Sequence, residues 1–456
     1  MKTYVLPERK CPVIRETDVL VCGGGPAGIA AAVGAAREGV DVTLVDEGGC
    51  LGGMIPKGMI TFTESAMEST GDLQLIGGIW WELMDRMAEC GGAIHGHELI
   101  HHNKYYPFDV SRCEKDRQLP VFEPEVFKRT AERLVGELGV HVLLYTMVTE
   151  AIVERGTVTG VVLENREGSQ VILAKRVVDA TGLAGVLRSA GAECSTTYSS
   201  VPGRKGPIIV FFRAGGIQEV VESYKPNVSE IPYGAVNFFP TVRPGEFRVE
   251  MVRALGDGMR AEDMTRGSME CRRQIPDVIN WMRKNWPGCE NMYLIDSGNH
   301  AVSFVFPKIK GEKELTKKDM FEGKIPDDVI GLCGYGVDIH SAKEGGQNEL
   351  YYFEPGHYYG IPYGCLVPVP GVENILAAGR NVACEDGTEA GIISAAVSMV
   401  TGEAAGIASA VSLEEKTAPR NINRSELQRR IIQHGGLLDA RKLPPGKKRL
   451  KYYKER

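Results

Sequence analysis

The chain has 456 residues, of which 43% are hydrophobic and 25% are charged, and its formal net charge at pH 7 is −6. These values are typical of a globular protein with about two to four domains, and they exclude a disordered or collagen-like chain. The negative net charge also excludes a general electrostatic attraction to nucleic acid or to anionic lipid.

The apolar stretches and the N-terminus favour a cytoplasmic protein. Gly, Thr or charged residues interrupt each apolar stretch before the roughly 18 residues that a membrane span needs. Residues 1–20 mix both charge signs and lack the apolar core of a signal peptide. The 11 cysteines include no C-x-x-C pair, so we interpret them as mostly buried free thiols.

The first predicted elements are a strand, a glycine turn, a helix and a second strand. Residues 18–22 form a β-branched run, and residues 23–28 read Gly-Gly-Gly-Pro-Ala-Gly, which is a G-x-G-x-x-G motif. An Ala-rich helix over 29–38 and a strand over 42–45 follow, and Asp46 comes next. An isolated G-x-G-x-x-G is often only a turn, but this order of elements indicates a dinucleotide-binding unit.

Each position of the motif has a physical role in such a unit. Gly23 makes the tight turn, Gly25 lets a pyrophosphate approach bare backbone, and Gly28 lets the helix pack closely on the strand. The helix N-terminus then faces the phosphates, and Asp46 stands where a carboxylate accepts the ribose hydroxyls. The glycine-rich loop at 48–53 favours FAD over NAD, because backbone there would pass close to a second, extended part of the cofactor.

The later elements alternate strands and helices. We predict a helix over 122–138, a strand over 140–145, a hairpin over 150–163 around Gly156, a strand over 176–182 that ends in a glycine turn, a strand within 374–380, an Ala/Gly-rich helix over about 388–410 and an amphipathic helix over 425–438.

Seven segments resemble those of a known family, at 23–32, 45–54, 122–128, 177–182, 336–340, 358–368 and 373–380. The most specific signal is the order of Asp-Ile-His at 338–340, Ile-Pro-Tyr at 361–363 and Ala-Gly-Arg at 378–380. The sequence resembles the FAD-dependent oxidoreductase family. Its members are glutathione-reductase-like flavoproteins with two dinucleotide-binding domains, and they are distant relatives of fumarate reductase flavoprotein subunits.

The resemblance implies an α/β fold. A Rossmann-like FAD-binding domain, with a parallel sheet and a β-meander, is expected to carry an inserted α+β substrate domain. The FAD-binding domain would be discontinuous, over 1–60, 122–200 and 366–412. The other expected units are a helical or loop cap over 61–121, the substrate domain over 201–365, and a C-terminal helix with a basic tail over 413–456.

The resemblance also implies FAD as the cofactor. Gly379 and Arg380 are expected beside its pyrophosphate or flavin. The helix N-terminus near Glu389 and Ala390 would direct its partial positive charge at the isoalloxazine and stabilise the anionic reduced form. The expected FAD-binding residues are Gly23, Gly25, Pro26, Ala27, Gly28, Asp46, Glu47, Gly52, Gly53, Met54, Val148, Ala180, Thr181, Gly182, Gly379, Arg380, Glu389 and Ala390.

Two segments depart from the pattern of the family. Residues 304–309 read Phe-Val-Phe-Pro-Lys-Ile where the family usually has Arg-Glu-Ser-Arg-Arg-Ile, and residues 183–185 read Leu-Ala-Gly where it usually has Asp-Gly-Asp. The cofactor is therefore carried over from the resemblance, but the substrate is not.

The chain also lacks two features of glutathione-reductase-type enzymes. No second G-x-G-x-x-G lies in a strand–helix frame, and Cys50 has no partner cysteine five residues later. We therefore expect an external electron donor or acceptor as a partner of this chain. A homo-oligomer is left open.

The densest polar and aromatic cluster of the sequence lies over 338–363. His340 and His357 are candidate acid–base residues because imidazole titrates near neutral pH, and Tyr363 is a candidate hydrogen-bond donor to a substrate oxygen. The alternative for each histidine is a structural hydrogen bond to a neighbour or to backbone. No metal is expected, since no acid or cysteine at ligand spacing completes a site with His95, His97, His101 and His102.

We predict an FAD enzyme that transfers a hydride to or from a small organic substrate, at a C–H next to a hydroxyl or amine or at an activated alkene. The alternatives are an electron-transferring flavoprotein subunit of a larger complex and an FAD-dependent protein that modifies nucleic acid. The last alternative depends on residues 441–456, which carry eight Lys or Arg residues and one Glu. A solvated terminus is the simpler interpretation of that tail.

Overall fold

The computed structural model describes most of the chain. The described residues are 3–4, 8, 10–66, 73–95, 120–218, 232–234, 237–342, 349–351, 353–354 and 356–442. The basic tail beyond Lys442 and three of the four histidines considered for a metal site, at 97, 101 and 102, therefore lie outside the described residues.

The helices, in chain order, are α1 (Pro26–Arg37), α2 (Met54–Gly58), α3 (Gly78–Glu89), α4 (Pro124–Glu137), α5 (Gly185–Ser189), α6 (Ala261–Asn285), α7 (Lys317–Glu322), α8 (Ala390–Ile393), α9 (Ala395–Glu414) and α10 (Arg424–Gln433). The strands are β1 (Val13–Cys22), β2 (Val42–Val45), β3 (Leu73–Gln74), β4 (Ala93–Ile94), β5 (Val121–Phe122), β6 (His141–Leu143), β7 (Met147–Glu154), β8 (Thr157–Asn165), β9 (Gly168–Asp179), β10 (Cys194–Thr196), β11 (Gly206–Ile209), β12 (Phe212–Gly215), β13 (Asn237–Pro240), β14 (Phe247–Glu250), β15 (Ala254–Gly256), β16 (Tyr293–Ser297), β17 (Val302–Ser303), β18 (Pro307–Ile309), β19 (Val329–Cys333), β20 (Val337–Ile339), β21 (Glu349–Tyr351), β22 (Tyr359–Pro362), β23 (Ile375–Ala377) and β24 (Arg441–Lys442).

The largest sheet combines parallel strands with a β-meander. β6, β2, β1 and β9 are parallel neighbours in that order, and the end of β9 also pairs in parallel with β23. The first part of β9 pairs antiparallel with β8, which pairs antiparallel with β7. This confirms the predicted α/β class with a Rossmann-like sheet. Because the parallel strands run the same way, their carboxyl ends meet at one edge, which we call the carboxyl edge.

Helices α1 and α9 pack against each other through residues without side chains. A Cβ at Gly402 of α9 would overlap the carbonyl group of Ala27, and a Cβ at Gly406 would overlap that of Ala31. The two backbones are thus in direct contact. This contact fixes the start of α1, and with it the glycine turn that follows β1, against the core of the domain.

The helix predicted over about 388–410 is in fact two helices, α8 and α9. They are separated at Ser394, whose backbone is extended with ψ 147° and whose side chain accepts a hydrogen bond from the backbone N–H of Val397. Serine is a favourable N-cap, so a new helix begins there. The amphipathic helix predicted over 425–438 is shorter, since α10 ends before Gly435, where φ is +88°.

One helix among the described residues is long and apolar enough to span a membrane, although Thr401, Gly402 and Glu403 interrupt its apolar sequence. Helix α9 has the length and composition of a membrane span, but 89% of its apolar window is buried inside the protein. Within the described part of the chain it is the one helix that meets this test, and its burial makes it a core helix.

A second core lies apart from the first. β13, β14, β12 and β16 form an antiparallel sheet in that order, and the apolar residues of α6 pack with it in a cluster between Ile208 and Ala301. Buried residues from Ile309 to Tyr363 pack in the first core instead. The segment 201–365, predicted as one substrate domain, therefore contributes to both cores.

Glu403 is a buried carboxyl group in the middle of α9. Its Oε2 accepts a hydrogen bond from the backbone N–H of Ile79 at 3.3 Å, and its Oε1 has no hydrogen-bond partner. Burial raises the pKa of Glu403 to about 8, which the hydrogen bond from Ile79 only partly offsets.

The raised pKa of Glu403 predicts a pH-dependent stability. The folded protein keeps this proton up to about pH 8, whereas the unfolded chain releases it near pH 4.5, so the free energy of unfolding should fall as the pH rises between these values, by up to a few kcal/mol. Glu403→Gln should reduce this slope and be more stable than the wild type at pH 8 in urea titrations. Glu262→Gln, at an exposed position, is the control. An unchanged slope in Glu403→Gln would contradict the assignment.

Candidate functional site

The glycine turn between β1 and α1 has the three geometries that its motif predicts. Gly23 has φ +105°, and a Cβ there would overlap the carbonyl group of Ala180. A Cβ at Gly28 would overlap the carbonyl oxygen of Gly23. At Gly25, by contrast, the nearest atom to a Cβ would be the Cα of Gly53, at 3.8 Å. Two of these glycines serve packing, and the third has room for a Cβ, which would make only an ordinary contact with Gly53.

Pro26 and Ala27 form the first turn of α1 with Gly25 as the N-cap. No acidic side chain lies in that first turn, and no side chain caps it. The N–H groups at this helix end therefore keep their partial positive charge for a ligand.

Asp46, at the end of β2, is buried and holds three donors. Its Oδ2 accepts from the backbone N–H of Gly24 at 2.7 Å, and its Oδ1 accepts from the N–H of Gly48 at 2.7 Å and from Lys57 Nζ at 3.1 Å. The carboxylate joins the two glycine loops and keeps acceptor capacity on Oδ2. Glu47, the next residue, is exposed.

The second glycine loop lies directly on the first. The N–H of Gly52 donates to the carbonyl of Gly24 at 2.8 Å, and a Cβ at Gly53 would lie 2.7 Å from the Cα of Gly25. Gly53 is the N-cap of α2, which begins at Met54. The loop predicted to pass close to the cofactor therefore forms one surface with the G-x-G-x-x-G turn.

Ala180, Thr181 and Gly182 follow β9 at the same carboxyl edge. Buried Asp179 shapes this turn, because its Oδ1 accepts from the N–H and the hydroxyl of Thr181 and its Oδ2 accepts from the N–H of Leu187 at 2.9 Å. Burial raises the pKa of Asp179, although these hydrogen bonds oppose the shift. The turn is held by buried bonds rather than by its own sequence alone.

Gly379 and Arg380 follow β23 at that edge. A Cβ at Gly379 would meet the Cβ of Ala27 at 3.0 Å, so this turn lies against the start of α1. Arg380 Nε donates to the carbonyl of Gly182 at 2.5 Å, and its guanidinium lies 5.1 Å from the ring centroid of Phe306. Burial lowers the pKa of Arg380 to about 10.

Arg380 makes no ion pair with any residue that the structure describes. A partly buried cation without a carboxylate is unfavourable, because the loss of hydration is not offset by an opposite charge. The arrangement therefore favours an anionic group beside Arg380.

Glu389 and Ala390, at the start of the short helix α8, lie next to the Arg380 turn, since α8 packs on residues 379–381. Glu389 is held by Lys308, whose Nζ is 3.1 Å from its Oε1 and 2.7 Å from Asp386 Oδ1. The N-cap position of α8 thus carries a paired carboxylate rather than a free helix end.

Val148 lies in β7, two residues beyond Thr146, whose N–H donates to the carbonyl of Asp46 at 3.0 Å. This hydrogen bond brings the start of the meander to the end of β2. The structure therefore gathers the segments that carry the expected FAD-binding residues, namely 23–28, 46–54, 146–148, 180–182, 379–380 and 389–390, around the carboxyl edge.

A second group of polar residues is centred on β14, where Arg248 and Glu250 are buried on one face. Arg248 Nη2 donates to Glu250 Oε2 at 3.0 Å. Three rings surround the guanidinium, with centroids at 4.4 Å for Phe62, 4.0 Å for Phe211 and 4.5 Å for Phe239. Burial lowers the pKa of Arg248 to about 10, although Glu250 opposes the shift.

His340 belongs to this second group. Its Nδ1 is 4.0 Å from Glu250 Oε1, its Nε2 is 3.7 Å from Asp338 Oδ1, and its ring stacks on Phe304 with 3.9 Å between centroids. Its carbonyl accepts from the hydroxyl of Tyr198 at 2.7 Å. Burial raises the pKa of Tyr198, and the charges of Glu389 and Asp338 raise it further. Tyr198 thus holds the backbone of His340 and is close enough to Glu389, at the start of α8, for the charge of that residue to act on it.

The other two catalytic candidates are held elsewhere. His357 Nε2 donates to the carbonyl of Met320, near the end of α7, at 2.7 Å. The hydroxyl of Tyr363 is buried and donates to the carbonyl of Pro419 at 3.0 Å, and Arg424 lies over its ring. Burial raises the pKa of Tyr363. The structure therefore does not bring His340, His357 and Tyr363 into one cluster.

The comparisons with known proteins place the chain in a family. The sequence model of the family described as FAD dependent oxidoreductase matches residues 18–431. The chain belongs to this family of FAD-dependent oxidoreductases. It is therefore a flavoprotein enzyme with FAD as its cofactor.

This FAD-dependent oxidoreductase is similar to digeranylgeranylglycerophospholipid reductase 1 of Methanococcoides burtonii, with 28% identity over 188 residues. That match covers 40% of this chain and 42% of the relative, so the two correspond over less than half of their lengths.

Two solved structures cover most of the chain. One is a geranylgeranyl bacteriochlorophyll reductase-like protein from Thermoplasma acidophilum, with 16% identity, a TM-score of 0.47 and coverage of 92% of this chain and 84% of that one. The other is a myxobacterial chondrochloren halogenase, with 14% identity, a TM-score of 0.47 and coverage of 92% and 79%. Both TM-scores are below 0.5, and it is the strand order of the oxidoreductase itself that defines its fold.

Sequence reasoning missed four charged residues of this oxidoreductase. Lys57 and Lys308 are paired with Asp46 and Glu389, and Arg248 and Glu250 form the buried pair of β14. The alternation of charged and apolar residues along 247–250 was the available signal for β14. Lys308 lies in the segment 304–309, where the arginines of the family pattern are absent, and it is the basic residue that remains in that segment.

Of the four histidines considered for a metal site, His95 is the one within the described residues. Its Nε2 lies 2.9 Å from Asp85 Oδ1, and its ring stacks on Trp81. No group of three or more candidate ligands occurs within the described ranges of the oxidoreductase.

The different surroundings of Gly25 and Gly28 predict different effects of the same substitution. Gly25→Ala should fold normally, because φ is −73° and space is open, but should weaken FAD binding by at least about tenfold. Gly28→Ala should lower the melting temperature markedly, because its Cβ meets backbone. For each variant, FAD affinity is measured by titration of the apoprotein and the melting temperature by thermal unfolding. Gly136→Ala, in open space on α4, is the control. Unchanged FAD affinity in Gly25→Ala would contradict this geometry.

Proposed function

We propose that this enzyme transfers a hydride between FAD and a small organic substrate, at a carbon next to a hydroxyl or an amine or at an activated alkene. The observation that carries the proposal is that two features occur together: Arg380 is a cation without a carboxylate partner among the described residues, and Gly25 exposes bare backbone to a ligand. Both lie at the carboxyl edge, where open α/β sheets bind their ligands.

The residues at this edge fit the parts of FAD. Arg380 supplies positive charge for the pyrophosphate. The N-terminus of α1 supplies more, through the backbone N–H groups of the residues after Pro26. The remaining acceptor capacity of Asp46 suits a ribose hydroxyl. Gly52 and Gly53 would let backbone lie against the extended cofactor, with Lys57 balancing the charge of Asp46.

Bound FAD supplies the two-electron chemistry of the reaction. The protein must then hold the substrate and move a proton. His340 is our choice for the proton acceptor or donor, because its ring nitrogens lie 3.7 Å from Asp338 Oδ1 and 4.0 Å from Glu250 Oε1, between two carboxylates that can orient the ring. Stacking on Phe304 fixes the plane of the ring. We propose a structural role for His357 and Tyr363, whose polar atoms bind backbone carbonyls.

The electrons would be exchanged with an external partner. In the part of the chain that the structure describes, one parallel sheet carries one glycine turn of this type, which supports a single dinucleotide site. A cytoplasmic setting is supported by the ten described cysteines, all of which are free thiols.

The proposed role of His340 predicts a specific loss of rate. Small hydroxy compounds, amines and alkenes are first screened for anaerobic bleaching of the flavin absorption. With a compound that bleaches it, His340→Gln should slow the reduction by about a hundredfold or more, because general acid–base catalysis contributes that much. Its FAD content should stay normal. His357→Gln, which can still donate to Met320, should react at nearly the wild-type rate. Equal rates for His340→Gln and the wild type would rule out this role.

A further inference from the structure

We propose that the substrate carries a carboxylate next to a hydroxyl or amino group, as 2-hydroxy acids and 2-amino acids do, and that Arg248 and Glu250 bind these two groups. The inference rests on the function proposed above, since it names the class of molecule that would react. It follows from two buried polar atoms on β14.

Each member of the Arg248–Glu250 pair has one polar atom without a hydrogen-bond partner. Arg248 Nη2 and Glu250 Oε2 bind each other at 3.0 Å, but Arg248 Nε and Glu250 Oε1 are buried and unbonded. Both side chains are almost fully buried, with 2% and 6% of the residue exposed. Buried polar groups in native proteins are normally satisfied, so these atoms indicate a missing hydrogen-bonding group.

The rings around Arg248 restrict where that group can bind. Phe62, Phe211 and Phe239 lie near the guanidinium with centroids 4.0–4.5 Å from its carbon, and Phe62 and Phe239 are themselves stacked. Contacts of this kind occupy the faces of a guanidinium and leave its N–H edge for hydrogen bonds. A planar carboxylate is the group that suits this edge.

Whereas Arg248 needs a hydrogen-bond acceptor, Glu250 needs a donor. Its Oε1 is an acceptor, so it needs a hydroxyl or an ammonium as a donor. His340 Nδ1 lies 4.0 Å from the same oxygen, which is too long for a hydrogen bond. A substrate hydroxyl or amino group between the two would donate to Glu250 and lie beside the base that takes its proton.

The charges of the pair also limit the ligand. Arg248 and Glu250 carry opposite charges, and the charge of Glu64 also acts on Arg248, so a ligand that offers only an acceptor or only a donor would leave one of the two unbonded atoms unmatched. A molecule with a carboxylate and a donor on neighbouring carbons satisfies both atoms at once. A water bridge is the competing explanation, and it predicts no selectivity for such acids.

The test measures binding to the oxidised holoenzyme. The probes are the amino acids that occur in proteins and the 2-hydroxy acids with the same side chains. The comparison compounds are the carboxylic acids without a substituent at carbon 2 and the amides of the amino acids. Calorimetry and the shift of the flavin absorption give the affinities. We expect a 2-substituted acid to bind and its unsubstituted acid and amide to bind at least about tenfold more weakly, since each lacks one charged hydrogen bond. Whether the amino or the hydroxy series binds more tightly identifies the donor.

The variants separate this inference from its alternatives. Arg248→Met alone would leave Glu250 buried without its partner and could unfold the protein, so the neutral double variant Arg248→Met/Glu250→Gln is made as well. It should keep FAD and lose at least about a hundredfold in affinity for the acid. Arg243→Met, exposed on the turn before β14, is the control and should bind normally.

Three results would overturn the inference. They are the absence of any acid that binds the FAD-loaded enzyme, equal affinity for the unsubstituted acids, and unchanged affinity in the double variant. Reduction of the flavin by another class of compound would leave the proposed hydride transfer in place while excluding these acids. Failure of the apoprotein to bind FAD would instead remove the proposed function.

Discussion

The close contact between α1 and its surroundings is the constraint on which the rest of the site depends. Gly28 lies so close to the carbonyl of Gly23, and Gly402 so close to that of Ala27, that neither position has room for a Cβ. The N-terminus of α1 is thereby fixed over the end of β1. Only then can Gly25, where a Cβ would make no close contact with the protein, present bare backbone and a helix end to an anion.

Charge is distributed around this fixed turn in a way that suits one ligand. Asp46 pairs with Lys57, and Glu389 shares Lys308 with Asp386, but Arg380 is partly buried without a carboxylate among the described residues. These side chains carry equal numbers of positive and negative charges, and Arg380 is the cation among them that has no carboxylate partner. The family assignment identifies the cofactor as FAD, and the unpaired Arg380 suits the anionic part of such a cofactor.

The elements that were predicted correctly depend on local sequence. The strand, turn and helix at 13–37 and the hairpin around Gly156 can be read from neighbouring residues, because turn glycines and apolar periodicity act within a few positions. The break at Ser394 was missed because Ala-rich sequence on both sides hides a capping serine. His340 has one local partner, Asp338, and one on β14, Glu250. The partners of His357 and Tyr363 lie 37 and 56 residues away, so no local pattern encodes them. Arg248 and Glu250 are only two positions apart, but their burial depends on rings from distant parts of the chain, at Phe62, Phe211 and Phe239.

The most direct test of the account is the FAD content of the purified protein. Its visible absorption is recorded before and after denaturation and precipitation, and the apoprotein is then titrated with FAD. The account predicts a yellow protein that releases its flavin into the supernatant and takes up one FAD per chain again. A colourless protein that takes up no added FAD would contradict the assignment of the carboxyl edge as the cofactor site.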